Sequence, residues 1–342
     1  MKRYWIHTLL ILCAIGILTS CNRSRSGSGA AGSGGGYEKL NLTMSCIGTD
    51  IASDTLVSRR FAELVEDASG GNIKIAVFPN SHLSGGNPTM AIEMATVGTV
   101  DIAMYATSWM STLDERLLVS TLPWVFDSYA NVREIIDTTG GDFYRDVLAS
   151  KGLTYISYTH NGFRQLTNGR RPIKTPADLR GLKIRVPGGE VYRSVMREFG
   201  ADPVAMNWSE AFTAIQQGAV DGQENGFNVI NSARVYEIQK YMTVWNYVYE
   251  PYLLFANTAI FNKLSPQAQA LLREKAIEAC EWGNDWFENE EDELKQKFID
   301  FGMEVVTLSP AELQPFKAVV AGLRDELKVK FGPEASAAFR IE

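Results

Sequence analysis

Residues 40–106 read LNLTMSCIGTDIASDTLVSRRFAELVEDASGGNIKIAVFPNSHLSGGNPTMAIEMATVGTVDIAMYA, and strand-like and helix-like patterns alternate along them. Three predicted strands, at 40–47, 72–78 and 98–106, are separated by two predicted helices, at 54–67 and 87–96. This β-α-β-α-β order predicts an α/β fold of mixed, mainly parallel sheets with helices on both faces. Ligands of such sheets bind beyond the carboxyl ends of the strands.

Strand and helix patterns continue along the rest of the chain. Further strands are predicted at 153–160, 164–167, 182–186 and 244–255, and further helices at 131–150 and 209–217, the latter with Ser209 as N-cap. Ser265 and Pro266 are a typical N-cap and first residue of a helix, and the helical pattern then runs to Phe301. Such a helix is longer than a small domain is wide, so the sequence predicts one long helix that spans two domains.

The N-terminus, residues 1–20, predicts a lipoprotein signal peptide. A basic start precedes an apolar run that is too short for a convincing membrane span and ends in small residues directly before Cys21. Cleavage there would leave Cys21 to carry the lipid; an ordinary secretory signal with a chance cysteine is the alternative. Residues 21–36 are mostly Gly, Ser and Ala and predict a flexible linker. The sequence therefore predicts an extracytoplasmic protein that is lipid-anchored to the cell membrane.

Composition narrows the class of protein. The formal net charge is −7, and loss of Lys2 and Arg3 with the signal would leave −9 (−7 − 2). Nucleic-acid binding rests on Lys and Arg that neutralise phosphates, so no nucleic-acid partner is predicted. The sequence contains no HExxH, CxxC pair or GxxxxGK[ST], which predicts a non-enzyme without metal or cofactor. Cys46 and Cys280 are predicted to be small buried hydrophobes, although a disulfide between them stays open.

Three polar segments are candidates for a binding site. Arg164 lies in a short extended piece between turn formers, and Arg185 lies near the end of a strand that Pro187 stops. An arginine in such a place can face a cleft and bind a carboxylate through two parallel hydrogen bonds. The third segment, DGQENG at 221–226, can line a polar pocket. The residues alone leave two alternatives open: solvated strand residues for the arginines, and a plain β-turn for 221–226.

Five motifs, in their order along the chain, resemble the substrate-binding proteins of TRAP transporters, the DctP family. They are FPNSHLSGG (78–86), NGFRQLTN (161–168), KTPADLRGLKIRVP (174–187), GADPVAMNWSEAFTAIQQGAVDGQEN (200–225) and YEIQKY (236–241). The resemblance covers nearly all of the chain after the linker. It implies a two-domain periplasmic-binding-protein fold, type II-like, with a cleft between the lobes and a long helix across both. The implied lobes are 37–161 with 250–289, and 162–249 with 290–342.

The resemblance also assigns roles to individual residues. Arg185 matches the family's selectivity arginine, which would form the main salt bridge to a ligand carboxylate. Arg164 matches a second arginine that the sialic acid binders use on the same group. Asn225 matches a pocket asparagine, and Trp208 stands where those binders place an aromatic ring against the ligand.

Three departures from the sialic acid binders indicate a different ligand. Cys46, Thr107 and Gly188 replace an asparagine, a glutamate and an asparagine of those proteins. The predicted ligand-binding residues also include Cys46, Thr107, Asp50 and Glu210. A sugar acid such as a uronate or an aldonate is the predicted ligand, with C4-dicarboxylates or short hydroxy acids as the alternative.

The implied partner is the TRAP membrane permease, to which a monomeric receptor delivers its organic acid. A receptor that instead serves a sensor kinase or a chemoreceptor is the alternative.

Overall fold

The computed structural model describes residues 36–342. The predicted signal peptide, the predicted lipidation residue Cys21 and the predicted linker up to residue 35 lie outside these residues. No helix within 36–342 combines the length and the apolar character that crossing a membrane requires.

The strands of the described residues form two sheets. Their bounds are β1 Leu40–Cys46, β2 Ile73–Phe78, β3 Ile102–Ala106, β4 Leu153–Phe163, β5 Gln165–Asn168, β6 Lys183–Val186, β7 Asp202–Ala205, β8 Gly222–Asn225, β9 Tyr241–Val244, β10 Tyr249–Asn257 and β11 Glu304–Thr307. The first sheet has the order β2-β1-β3-β10-β4, and the second has the order β11-β9-β5-β8-β6-β7. Five of the nine strand pairings are parallel and four are antiparallel, so the predicted mixed, mainly parallel sheets are confirmed.

Helices cover the sheets and join them. Their bounds are α1 Ser53–Ala68, α2 Pro88–Val97, α3 Thr107–Met110, α4 Tyr129–Ile135, α5 Gly141–Ala149, α6 Glu190–Glu198, α7 Trp208–Gln216, α8 Phe227–Ser232, α9 Thr258–Phe261, α10 Pro266–Phe301 and α11 Pro310–Ala338. Short 3₁₀ segments lie at His82–Ser84, Glu115–Thr121, Pro176–Leu179 and Val235–Glu237, and a π turn lies at Ile136–Gly140.

The long helix predicted from Ser265 to Phe301 is confirmed as α10. The Ser265 side chain caps it by accepting the N–H of Ala268 at 3.2 Å. Its first half packs on α1 and β4, beside the first sheet, and its second half reaches α8 and β11, beside the second. Cys280 belongs to the large core cluster that includes the first sheet, whereas Phe298 belongs to a separate cluster around α7, α8 and β9 of the second sheet. One helix therefore supplies core residues to both halves of the molecule.

The strands of the first sheet lie within 40–163 and 249–257, and those of the second within 165–244 and 304–307. The exact division into lobes at 161, 249 and 289 stays a prediction. The tail of the chain does not remain beside the second sheet. Helix α11 is interrupted at Gly332, and beyond it Phe339 packs edge-on against Tyr144 beside the first sheet, with ring centroids 5.3 Å apart.

The single strand predicted at 244–255 is wrong. Asn246 has a left-handed φ of 44°, which ends β9, and the chain then crosses to the first sheet as β10. The prediction missed this break because Trp245, Tyr247 and Val248 are buried in the crossing, so the apolar pattern continues through it. The predicted N-cap Ser209 is also wrong: α7 begins at Trp208, and the Ser209 hydroxyl instead donates to Gly86 O at 3.2 Å.

Cys46 and Cys280 are both buried, as predicted, and no disulfide joins them, which decides the alternative that the sequence left open.

Gly283 allows α10 to approach α1 closely. An added Cβ there would lie 2.2 Å from Val57 Cγ2. We predict that Gly283→Ala lowers the free energy of unfolding by about 1–2 kcal/mol, because overpacking outweighs the better helix propensity of alanine. Urea denaturation measures it.

The matched control is Gly322→Ala in α11, where the added Cβ would have no atom within 4 Å apart from its chain neighbours and the backbone of its own helix. There the same substitution should stabilise the protein by about 0.5–1 kcal/mol. Equal stabilisation by both substitutions would contradict the close packing of α10 on α1.

Candidate functional site

A cavity lies where residues of the two sheets meet. Its walls are formed largely at the carboxyl ends of strands: Gly48 follows β1, Ala106 ends β3, Pro187 follows β6 and Asn225 ends β8. This is the position expected for a ligand on sheets of this kind.

Four of the predicted ligand-binding residues line this cavity: Arg164, Arg185, Asn225 and Trp208. Arg185 lies on β6 and Asn225 on β8, while Trp208 is the first residue of α7. Arg164 lies between β4 and β5, at the point where the chain crosses from the first sheet to the second. Its backbone N–H donates to Val248 O at 2.8 Å, in the return crossing.

The other four predicted residues are not part of the cavity lining. Asp50 pairs with Arg59 and keeps 66% of its side chain exposed, and Glu210 is exposed in the first turn of α7. Thr107 and Cys46 are fully buried behind the wall. The Cys46 Sγ lies 3.4 Å from Thr55 Oγ1, and burial raises the pKa of its thiol far above the usual range. Sequence position placed these residues near the site, but their side chains turn into solvent or into the core.

Arg164 is held by two buried carboxylates. Its Nε donates to Glu224 Oε2 at 2.5 Å, and its Nη2 donates to Glu224 Oε1 at 2.9 Å and to Glu224 O at 2.8 Å. Its Nη1 donates to Glu250 Oε2 at 2.6 Å. Burial alone would lower the pKa of Arg164, but Glu224 and Glu250 outweigh it and hold that pKa well above the usual range. Four of the five N–H groups of a guanidinium are thus occupied.

Arg185 is equally buried, with 1% of its surface exposed, but it has few partners. Its one hydrogen bond within residues 36–342 runs from Nη2 to Met206 O at 2.8 Å, and its Nε has no acceptor there. The guanidinium lies over the Trp208 ring, 5.1 Å from the centroid. Burial, and then the positive charge of Arg164, lower the pKa of Arg185 to about 10, so it stays charged at neutral pH. A buried cation with unused donors is suited to bind an anion.

The two carboxylates around Arg164 are themselves fully bonded into both sheets. Glu224, on β8, accepts the Tyr247 hydroxyl at 2.7 Å. Glu250, on β10, accepts Ser108 N at 2.8 Å and Asn161 Nδ2 at 2.8 Å. Arg164 and the two glutamates therefore form one buried network that ties the second sheet to the first.

Sequence reasoning missed Glu224 and Glu250. A signal for Glu250 was available, since it is the one carboxylate in the aromatic stretch VWNYVYEPYLLF at 244–255. A charge in such a run requires a buried partner of opposite sign, because an unpaired buried charge is costly. Glu224 lies in the segment 221–226 that was predicted to line a polar pocket, yet its role is to hold Arg164.

Two mixed sheets, a helix that crosses both and a cavity lined by a buried arginine define a bilobed solute-binding protein. Residues 52–329 match the model of the DctP family, described as "Bacterial extracellular solute-binding protein, family 7". The chain belongs to this family, which confirms the predicted membership and fold class.

Known relatives share most of the length of this chain. The "2,3-diketo-L-gulonate-binding periplasmic protein" of Escherichia coli is 32% identical over 255 residues, which cover 75% of this chain and 77% of that protein. The "C4-dicarboxylate-binding protein" of Bacillus subtilis is 29% identical and the match covers 82% of this chain and 79% of that protein. Among solved structures, the sugar acid binding protein of Advenella mimigardefordensis in complex with galactonate superposes with a TM-score of 0.85 at 28% identity, covering 89% of this chain and 98% of that one.

The two arginines should differ in what they do for stability. We predict that Arg164→Gln lowers the free energy of unfolding by about 3–5 kcal/mol, because it leaves two buried carboxylates without their shared cation. Arg185→Gln should change it by no more than about 1 kcal/mol, because that cation is poorly compensated. Urea denaturation without added ligand measures both, and equal losses would contradict the division of roles.

Proposed function

We propose that this protein is the extracytoplasmic receptor of a TRAP transporter and captures a small organic acid through Arg185. The observation that carries the proposal is the state of that side chain: buried, charged and with an Nε donor that no described residue accepts. A ligand carboxylate can take two parallel N–H···O bonds from such a guanidinium. The proposed role is binding and delivery, and no catalytic step is assigned to it.

A sugar acid, such as a uronate or an aldonate, is the proposed ligand. The wall combines aromatic rings, from Trp109, Trp208 and Tyr252, with amides and hydroxyls, including Asn225 and Ser232. Rings pack on the apolar face of a sugar chain and polar groups bond its hydroxyls, which is the usual composition of a small-ligand site. The gulonate derivative and the galactonate in the names of the two relatives support this class.

Ligand capture is proposed to work by closure of the two halves on the anion. Ser53 N donates to Asn228 Oδ1 at 2.9 Å, and the Ser209 hydroxyl donates to Gly86 O, so residues on both sides of the cavity meet in this structure. A ligand that contacts both sides binds the closed form better and shifts the population toward it. A shift from 1:99 to 99:1 needs about 5.5 kcal/mol of differential affinity. The closed form is then proposed to dock on the membrane permease.

The affinity test is Arg185→Lys. We predict that it weakens binding of D-galactonate or D-glucuronate by about 1.5–3 kcal/mol, or about ten- to 150-fold, because an ammonium cannot reproduce the planar fork. Isothermal titration calorimetry measures it. Arg170→Lys is the matched control, since Arg170 is 60% exposed, pairs with Asp221 and lies away from the cavity lining. Wild-type affinity in Arg185→Lys would refute the proposal.

Lipid anchoring at Cys21 is proposed from the sequence and has its own test. Cys21→Ser should abolish incorporation of labelled fatty acid and move the protein from the membrane fraction to the soluble fraction. The matched control is Cys46→Ser, which replaces a buried thiol and does not touch the proposed anchor. This variant should remain in the membrane fraction. Retention of Cys21→Ser in the membrane fraction would contradict the proposed anchor.

A further inference from the structure

The formal charges around the cavity sum to zero, but the carboxylates are hydrogen-bonded to Arg164 and not to Arg185. Among the described residues that line it, the charged ones are Arg164, Arg185 and Glu250. Glu224 stands directly behind Arg164 and completes the network. Two cations and two anions sum to zero, and the bonds of Arg164 are nearly all used within the network. Arg185 is therefore the one cation of this lining that can take a ligand carboxylate.

A second observation concerns acceptors. Asn161 lines the cavity and is 3% exposed, and its Nδ2 donates to Glu250. This contact fixes the orientation of the amide, because a carboxylate accepts and does not donate. The Asn161 Oδ1 is buried and has no partner within residues 36–342. An unpaired acceptor is satisfied by a hydroxyl but not by a second carboxylate, which has no proton to donate.

From the charge balance and the unpaired acceptor we propose that the cavity accepts hydroxylated acids with a single carboxylate and excludes dicarboxylates of the same length. This inference rests on the function proposed above. The first carboxylate pairs with Arg185, and a hydroxyl donates to Asn161 Oδ1. A second carboxylate would be buried beside Glu250 without a cation of its own, which is strongly unfavourable.

Asp54 makes the burial of a second ligand carboxylate still less favourable. It lies behind the cavity wall and its Oδ2 accepts the N–H groups of Ile47, at 3.1 Å, and Gly48, at 2.8 Å, both of which line the cavity. Burial raises the pKa of Asp54 to about 6, so it is ionised above that pH. At neutral pH the negative charge of Asp54 therefore adds to that of Glu250, and both oppose the burial of a second ligand carboxylate.

The test compares matched pairs of acids that differ only at the far end of the chain. D-Galactonate is paired with galactarate, D-gluconate with D-glucarate and D-erythronate with tartrate, each titrated into the wild-type protein by calorimetry at pH 7.5. The aldonate of the best-binding pair should bind about a hundredfold or more tighter than its dicarboxylate. A dicarboxylate that binds within tenfold of its aldonate, or tighter, would overturn this inference and leave the receptor function standing. If no acid of any pair binds, the proposed sugar acid function fails, and this inference fails with it.

A variant that removes one negative charge tests whether charge is the cause of the predicted preference for aldonates over dicarboxylates. Glu250→Gln removes one negative charge but retains an acceptor for Ser108 N, so the ratio of aldonate to dicarboxylate affinity should fall about tenfold or more. Glu198→Gln removes an exposed carboxylate at the end of α6, away from the cavity lining, and should leave the ratio unchanged. An unchanged ratio in Glu250→Gln, or an equal fall in Glu198→Gln, would refute the charge argument.

Discussion

The structure depends on Arg164, held between Glu224 and Glu250. Arg164 stands where the chain first crosses between the sheets, Glu224 lies on the second sheet and Glu250 lies on the first. Each carboxylate is also bonded to its own surroundings, through Tyr247 and Ser108. Because removing one member of a buried ionic network leaves uncompensated charge, all of these groups constrain one another. The crossing point is therefore fixed in position beside the ligand cavity.

This network gives the two arginines different roles. Arg164 compensates charge and joins the sheets, which leaves little of its guanidinium for a ligand. Arg185 is buried without matching acceptors, and Arg164 lowers its pKa further, so its charge is poorly compensated. An incoming carboxylate relieves that cost, and it does so most fully when the cavity is closed and dry. Because Arg185 is the one poorly compensated cation among the described residues of the cavity lining, binding of one ligand carboxylate is favourable and burial of a second one is not.

The sequence predicted the parts of this account that local patterns determine. The strands of residues 40–106, the helix from Ser265 to Phe301 and the position of Arg185 near the end of β6 follow from periodicity, capping and family motifs. Partners across sheets are a tertiary property, so local patterns gave no sign of the role of Glu224, and only the isolated charge of Glu250 in an aromatic stretch indicated a buried partner. The break at Asn246 was hidden because its neighbours are buried and apolar. Asp50 and Glu210 lie outside the cavity lining, because proximity in sequence to the site does not fix the direction of a side chain.

The most direct measurement is a crystal structure of the protein in complex with D-galactonate or whichever aldonate binds. The account predicts a ligand carboxylate oxygen about 2.7–2.9 Å from the Arg185 guanidinium, with Arg164 still bonded to both Glu224 and Glu250. A complex in which Arg164 leaves one of these glutamates to clamp the ligand, while Arg185 makes no contact with it, would contradict the account.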